Sequence, residues 1–280
     1  MVPMPYIDRA GSRSQNLTHH HGTGQFPMFA LQRQQLITDR IKAHGRVAVA
    51  DLARELDTSH ETIRRDLAAL EEAGDLRRVH GGAIDMARVG GPEPPMAVRA
   101  SLCTDEKKRI ARAALAHVPD TGTILLESAS TSLFLAEMLP DGARTTIVTN
   151  GLDIAHGLAI RGFDVVMLGG RVRNRSLATL DDWVHPALEG LHADVAFLGT
   201  LGFTTHAGLT APDLPDAAVK RRCLGIADRN LLLAESAKFG VVALCRYADL
   251  SDFDLLITDT DLSEAAVEDI RSMGIEIIMA

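Results

Sequence analysis

The stretch "SHETIRRDLAAL" (residues 59–70) sets Arg64 and Arg65 side by side in a chain of formal net charge −8. At about 100° per residue, Ile63, Leu67 and Leu70 fall on one narrow stripe, so the segment reads as a helix with these three inward. Arg65 lies nearly opposite that stripe, near Glu61. Arg64 lies on one flank with His60, and Asp66 on the other. An acidic protein has no general attraction for a polyanion. The surroundings therefore decide whether the pair is a solvated face or a nucleic-acid contact.

Upstream, "MFALQRQQLITDRIKAHG" (28–45) has Leu31, Leu36, Ile37 and Ile41 near helical spacing, with Gly45 placed as a C-cap. "RVAV" (46–49) has room for an edge strand only, and "ADLARELD" (50–57) reads as a short helix. Asp57, Thr58 and Ser59 make a polar turn. Ser59 is the N-cap of the next helix, with Thr58 and Glu61 as an alternative capping box, and Gly74 ends that helix after Glu72. Two short helices so spaced suit a helix-turn-helix. "DLRRVHGGAI" (75–84) suits a hairpin wing.

Exposed arginine pairs are common, and an isolated Glu61–Arg65 pair is worth only a few tenths of a kcal/mol. The preceding helix, the turn and the basic wing together favour DNA contact. Ser59, His60, Glu61, Thr62, Arg64 and Arg65 then occupy the outward N-terminal part of a recognition helix, while Arg77, Arg78 and His80 supply a second backbone contact. The longer run "TSHETIRRDLAALEEAGDLRRVHGGA" (58–83) resembles the N-terminal signature of the DeoR family of bacterial transcriptional regulators: S-x-x-T-I-R-R-D-L, then Leu-Glu, a Gly, and R-x-H-G-G-A. The resemblance implies a winged helix-turn-helix that binds double-stranded operator DNA, usually as a repressor.

The totals are those of an ordinary globular protein: 280 residues, 46% hydrophobic and 24% charged. No apolar run approaches the roughly 20 residues needed to cross a bilayer, so a cytoplasmic protein without a membrane partner is expected. Cys103, Cys223 and Cys245 are widely spaced and read as reduced, packed thiols. No metal ligand set, cofactor or catalytic constellation stands out. Residues 1–27 read as a disordered tail, and Met28 is a candidate start of translation. Residues 28–88 carry ten basic and ten acidic residues, and residues 89–280 carry 17 basic and 26 acidic. Any meeting with nucleic acid therefore belongs to the first part.

Residues 89–100, rich in Gly and Pro, read as a linker, and Thr104 as the cap of the following helix. From 101 to 280, continuous apolar runs ("TILL", "TTIV", "DVVML", "DVAFLG", "NLLLA", "DLLIT", "IEIIM") alternate with helical segments ("TSLFLAEML", "LDIAHGLAI", "AAVKRRCLGIA", "SEAAVEDIRS"). That pattern predicts a parallel sheet covered on both faces, with ligands at the carboxyl ends of its strands. Those ends carry Glu127, Ser128, Ser130 and Thr131; Thr149 and Asn150; Gly169, Gly170 and Arg171; Glu235 and Lys238. Hydroxyls opening a helix suit a phosphate group.

DeoR-type regulators have an effector domain similar to ribose-phosphate isomerases, with motifs resembling these loops and the "EKK..IA" at 106–111. The overall expectation is α/β: an N-terminal winged helix-turn-helix (28–88) and a C-terminal parallel-sheet domain (101–280) that senses a phosphorylated sugar. One reading head per chain implies a homodimer or homotetramer. Two departures from the family pattern stand out. Glu replaces Asp at 127 and 235, pushing each carboxylate further into the pocket, and Ala129 replaces a Gly whose positive φ it would disfavour. The alternative is a sugar-phosphate isomerase with an added DNA-binding domain, in which Glu127, Glu235 and Lys238 do acid–base work.

Overall fold

The computed structural model describes residues 29–44, 46–73, 75–79, 81–85, 93–180 and 184–280. The expected tail, the glycines at 45 and 74, and His80 lie outside the described residues.

The N-terminal unit runs α1 (Ala30–His44), β1 (Arg46–Ala48), α2 (Val49–Glu55), α3 (His60–Glu72), β2 (Leu76–Val79) and β3 (Gly82–Asp85). Its core joins Ile37 and Ile41 of α1 to Leu52 and Ala53 of α2 and to Ile63, Leu67 and Leu70 of α3. The expected stripe of α3 is therefore the buried one. Leu31 and Leu36, also expected inward on spacing, are exposed. The wing forms as an antiparallel β2–β3 hairpin, and β1 adds to its edge in the order β1-β3-β2. Gly82 is needed there because a Cβ would run into the Val47 carbonyl of β1. Asp66 lies on the flank nearest α1. It is buried, and α1 reaches it with the Arg33 guanidinium and with Gln34 Nε2 at 3.2 Å. This carboxylate clasp fixes α3 against α1.

The second unit begins with α4 (Met96–Ser101), a short helix in the segment expected to be linker, and α5 (Thr104–Ala114). Thr104 does not cap α5. Its hydroxyl donates back to the Ala100 carbonyl at 3.1 Å, and Cys103, in a left-handed conformation, takes the cap position. Then follow β4 (Thr121–Leu126), α6 (Ser130–Met138), β5 (Arg144–Thr149), α7 (Leu152–Ala159), β6 (Val165–Met167), β7 (Arg171–Arg173), β8 (Ala178–Leu180), α8 (Val184–Leu188) and β9 (Ala193–Leu198). The chain continues through β10 (Gly202–Thr204), β11 (Gly208–Ala211), α9 (Leu214–Leu224), β12 (Ala227–Leu233), β13 (Cys245–Ala248), β14 (Leu255–Thr258), α10 (Glu264–Ser272) and β15 (Glu276–Met279).

All seven expected strands join one parallel sheet in the order β15-β14-β12-β9-β4-β5-β6. Alternate residues feed separate cores on its two faces. Ile124 and Leu126 of β4 enter one, with Phe197 and Leu233, while Leu125 enters the other, with Leu198 and Leu232. The sheet grows from β4 through β5 to β6, then resumes on the opposite side of β4 with β9. Between β4 and β9 the direction of winding reverses, which opens a crevice at their carboxyl ends. Two small antiparallel pieces have no counterpart in the expected pattern: the β7–β8 hairpin and the β10-β11-β13 sheet, which lies against α9.

Candidate functional site

Two places collect the polar residues singled out above. On the head, the Ser59 side chain accepts from the Thr62 amide at 3.1 Å and shares a hydroxyl contact with Thr62 at 2.9 Å, so these two residues start α3. His60, Glu61, Arg64 and Arg65 are exposed on its first two turns. Glu61 stands between the arginines, 3.9 Å from Arg64 Nη1 and 3.6 Å from Arg65 Nε. Exposed pairs of this kind hold weakly, so neither guanidinium is lost to a phosphate or a base edge. The wing is joined to the same helix. Arg78 donates to Glu71 from its backbone amide at 2.8 Å and from Nε at 2.6 Å. Arg77 occupies the β2 position opposite Ile84.

The second place is the crevice. Glu127 follows β4 directly and is 1% exposed. Its Oε2 is met by Lys220 Nζ from α9 at 2.7 Å and by the Gly199 amide at 3.3 Å. Lys220 also donates to the Gly199 carbonyl at 3.1 Å, which the Tyr247 hydroxyl reaches at 3.1 Å. Burial opposes the charge on Lys220, but Glu127 and Asp216 outweigh it and hold the ammonium well above its usual pKa. Asp216 is pushed up to about 6, by burial first; Lys220 opposes the rise, and Glu127 and Glu93 add to it.

Beside this pair, Glu235 after β12 takes Lys107 of α5 on one oxygen and Lys238 on the other at 2.9 Å. Burial works against the Glu235 charge. The two lysines overcome it and keep the carboxyl far below its ordinary range. Lys238 is itself lowered, chiefly by burial.

The hydroxyl and amide residues form the floor between β4 and β5. The Ser128 amide donates to Asn150 Oδ1 at 2.9 Å, the Ser128 hydroxyl to the Ser176 carbonyl at 3.1 Å, and the Thr149 hydroxyl to the Leu126 carbonyl at 2.6 Å. Ser130 and Thr131 are buried at the start of α6, where Ala129 offers no side chain to cap the helix. Gly169, Gly170 and Arg171 are exposed at the far end of the sheet, beyond β6. The structure therefore brings together Glu127, Ser128, Ser130, Thr131, Thr149, Asn150, Glu235 and Lys238.

It adds residues that the sequence reading passed over as site members: Lys107, Asp216 and Lys220, with Arg99 and Arg173 beside them. For the lysines a signal existed. Lys107 shares a helical stripe with Ile110, Ala111 and Ala114, and Lys220 one with Ala217 and Cys223. A lysine on an apolar stripe needs a buried partner.

The departures at 127, 235 and 129 have physical accounts. Glu127 is held by Lys220 and Glu235 by Lys107 and Lys238, so both of the longer carboxylates are paired. Ala129 has φ −134° and ψ 152°, an extended conformation open to any residue, so no positive φ is required. Space is the real constraint. A Cβ built on Gly199, across the crevice, would run into the Ala129 methyl.

Known proteins resemble both parts of the chain. Residues 33–88 match the DeoR-like helix-turn-helix domain and residues 102–260 the DeoR C terminal sensor domain. The HTH-type transcriptional regulator GolR of Listeria innocua is 32% identical over 254 residues, covering 90% of this chain and 100% of that protein. The HTH-type transcriptional repressor GlcR of Bacillus subtilis is 29% identical over 253 residues, covering 90% and 97%. A ribose 5-phosphate isomerase A from Neisseria gonorrhoeae aligns over 49% of this chain and 54% of its own, with 19% identity and a TM-score of 0.37.

Gly199→Ala is expected to cost about 1–3 kcal/mol by overpacking. Adding Ala129→Gly should recover much of that loss, a coupling measurable by denaturant unfolding of the two single variants and the double.

Proposed function

The chain belongs to the DeoR family of HTH-type transcriptional regulators, and on that premise we propose that α3 and the wing read operator DNA while the crevice holds a phosphorylated sugar that controls the reading. One observation carries the sensor half of this reading. In a region with 26 acidic and 17 basic residues, Lys107, Lys220, Lys238, Arg99 and Arg173 gather around one crevice at the switch point of the sheet. A cluster of cations beside the uncapped start of α6 and a floor of hydroxyls suits an anion carrying a polyol.

The reading half rests on charge segregation and exposure: Arg64 and Arg65 stand free of the core on a neutral head. Arg65, opposite the buried stripe, is assigned to base edges and Arg64 to phosphate. Regulation through repression and assembly as a dimer or tetramer follow from the same reading. One head per chain needs a partner head to span half-sites about 10 bp apart or multiples of that. Among the described residues no helix is long and apolar enough to cross a membrane.

The carboxylates that an isomerase would use are already paired, Glu127 with Lys220 and Glu235 with Lys107 and Lys238, which favours binding over turnover. The direct test is operator binding by the full chain with and without phosphorylated sugars chosen by thermal shift. Stabilisation by at least one of them and a change in operator affinity are expected. No stabilisation by any sugar phosphate removes the sensor reading, and turnover of ribose 5-phosphate would favour the enzyme.

Two further outcomes are expected. Arg64→Ala should weaken binding to all sequences alike and lower the salt slope by about 1, whereas Arg65→Ala should cost about 1–3 kcal/mol at particular base pairs. Below about pH 6 Asp216 takes up a proton, and the crevice loses one negative charge. Affinity for sulfate, whose own charge is constant there, should therefore rise several-fold from pH 7.5 to 5.5. Asp216→Asn should abolish that rise in titration calorimetry.

A further inference from the structure

The segment that joins the two units is also a wall of the crevice. Glu93 and Met96 are buried, and α4 packs against α6, whose first turn opens at the crevice. The joining segment is fastened to the loop after β7: the Met96 amide donates to the Arg175 carbonyl at 2.6 Å, and Arg175 Nη1 donates to the Glu93 carbonyl at 2.9 Å.

The Glu93 carboxylate lies between two guanidinium groups. Arg99 Nη2 is 3.1 Å from Oε1, and Arg173 Nη1 is 3.5 Å from Oε2. The fit is poor. Glu93 Oε2, Arg99 Nε and Nη2, and Arg173 Nη1 are all buried without a hydrogen-bond partner. A purely structural cluster would satisfy those groups, because each buried, unmade hydrogen bond costs about 1–3 kcal/mol and more where charge is involved. Arg173 is held in place through its other nitrogen by Asp213 at 2.8 Å. Electrostatically the group reaches both sides of the crevice: Arg99 is felt by Asp153 and Lys238, and Glu93 and Arg173 by Asp216.

We propose that Arg99 and Arg173 form an anion seat which Glu93 occupies in the free protein, and that the anionic group of the effector displaces Glu93 and unfastens the joining segment. This rests on the reading of the crevice as a sugar-phosphate site. A phosphate group offers three oxygens to the open N–H groups, where one carboxylate leaves them unmade. The displaced Glu93 carboxylate is readily hydrated once it leaves. The stretch so released is the one that leads back to the wing strand β3, so an event in the crevice changes the tether of the DNA-reading head. An effector shifts only an equilibrium whose two states it binds unequally, and here the difference is whether the seat is already filled. By reciprocity, DNA that favours the fastened segment lowers affinity for the effector by the same factor.

The test uses the full chain, with inorganic phosphate, ribose 5-phosphate and glucose 6-phosphate as probes in titration calorimetry. Glu93→Gln removes the internal competitor, so these anions should bind roughly tenfold tighter if Glu93 holds the seat nine-tenths of the time. Glu93→Gln combined with Arg99→Gln should lose that gain. Wild-type protein supplies a readout independent of the variant's folding: saturating phosphate should speed hydrogen exchange at the Met96 amide while β4 and β5 stay protected. Unchanged or weaker binding by folded Glu93→Gln, or a Met96 amide protected by phosphate, overturns the proposal and leaves the sensor reading standing. Failure of wild-type protein to bind any of the three probes overturns both.

Discussion

A carboxylate buried where the winding of a sheet reverses cannot keep its charge without a cation, and Lys220 supplies that cation to Glu127. Much of the sensor domain is arranged around this pair. Helix α9 must present Lys220 toward the end of β4, and Gly199 must lend both its amide and its carbonyl. The β10-β11-β13 sheet packs on α9 and brings Tyr247 to the same carbonyl. A pair of lysines, Lys107 and Lys238, repeats the solution at Glu235 two strands away. Together they place a rigid, cation-rich floor where an open α/β sheet leaves its crevice.

Much of the fold is legible in the sequence because two simple patterns are strong. Apolar runs such as "DLLIT" and "NLLLA", buried on both faces, alternate with helices, and this specifies the parallel sheet almost strand by strand. The spacing of Ile63, Leu67 and Leu70 sets the orientation of α3, and with it the outward place of both arginines. Asp66 escaped that logic because its partner, Arg33, sits on another helix. The antiparallel pieces escaped it too, since strands of three or four residues leave too short a period to recognise.

The candidate site was legible at the ends of β4, β5 and β12, where hydroxyls, an amide and two carboxylates follow apolar strands. It was not legible at its roof. Glycine and proline around Glu93 read as a spacer, and composition carries no sign that such a segment folds back on a pocket. Arg173 likewise acquires meaning only from a contact with Glu93 across about eighty positions of chain. Charge segregation was visible from counts over the two stretches of sequence, and it assigns each part of the molecule a polarity: a neutral head able to approach a duplex, and an acidic body whose few grouped cations face inward to a crevice.

The contact between Ala129 and the bare face of Gly199 has a consequence for how this crevice can vary. The two positions lie on neighbouring loops and share one small volume, so what is fixed is the sum of their side chains rather than either residue. A methyl group on the β4 side leaves none for the β9 side, and its transfer across the gap would reshape the mouth of the crevice without altering a charge or a hydrogen bond. Ligand size could thus be tuned there by moving one carbon atom from one loop to the other.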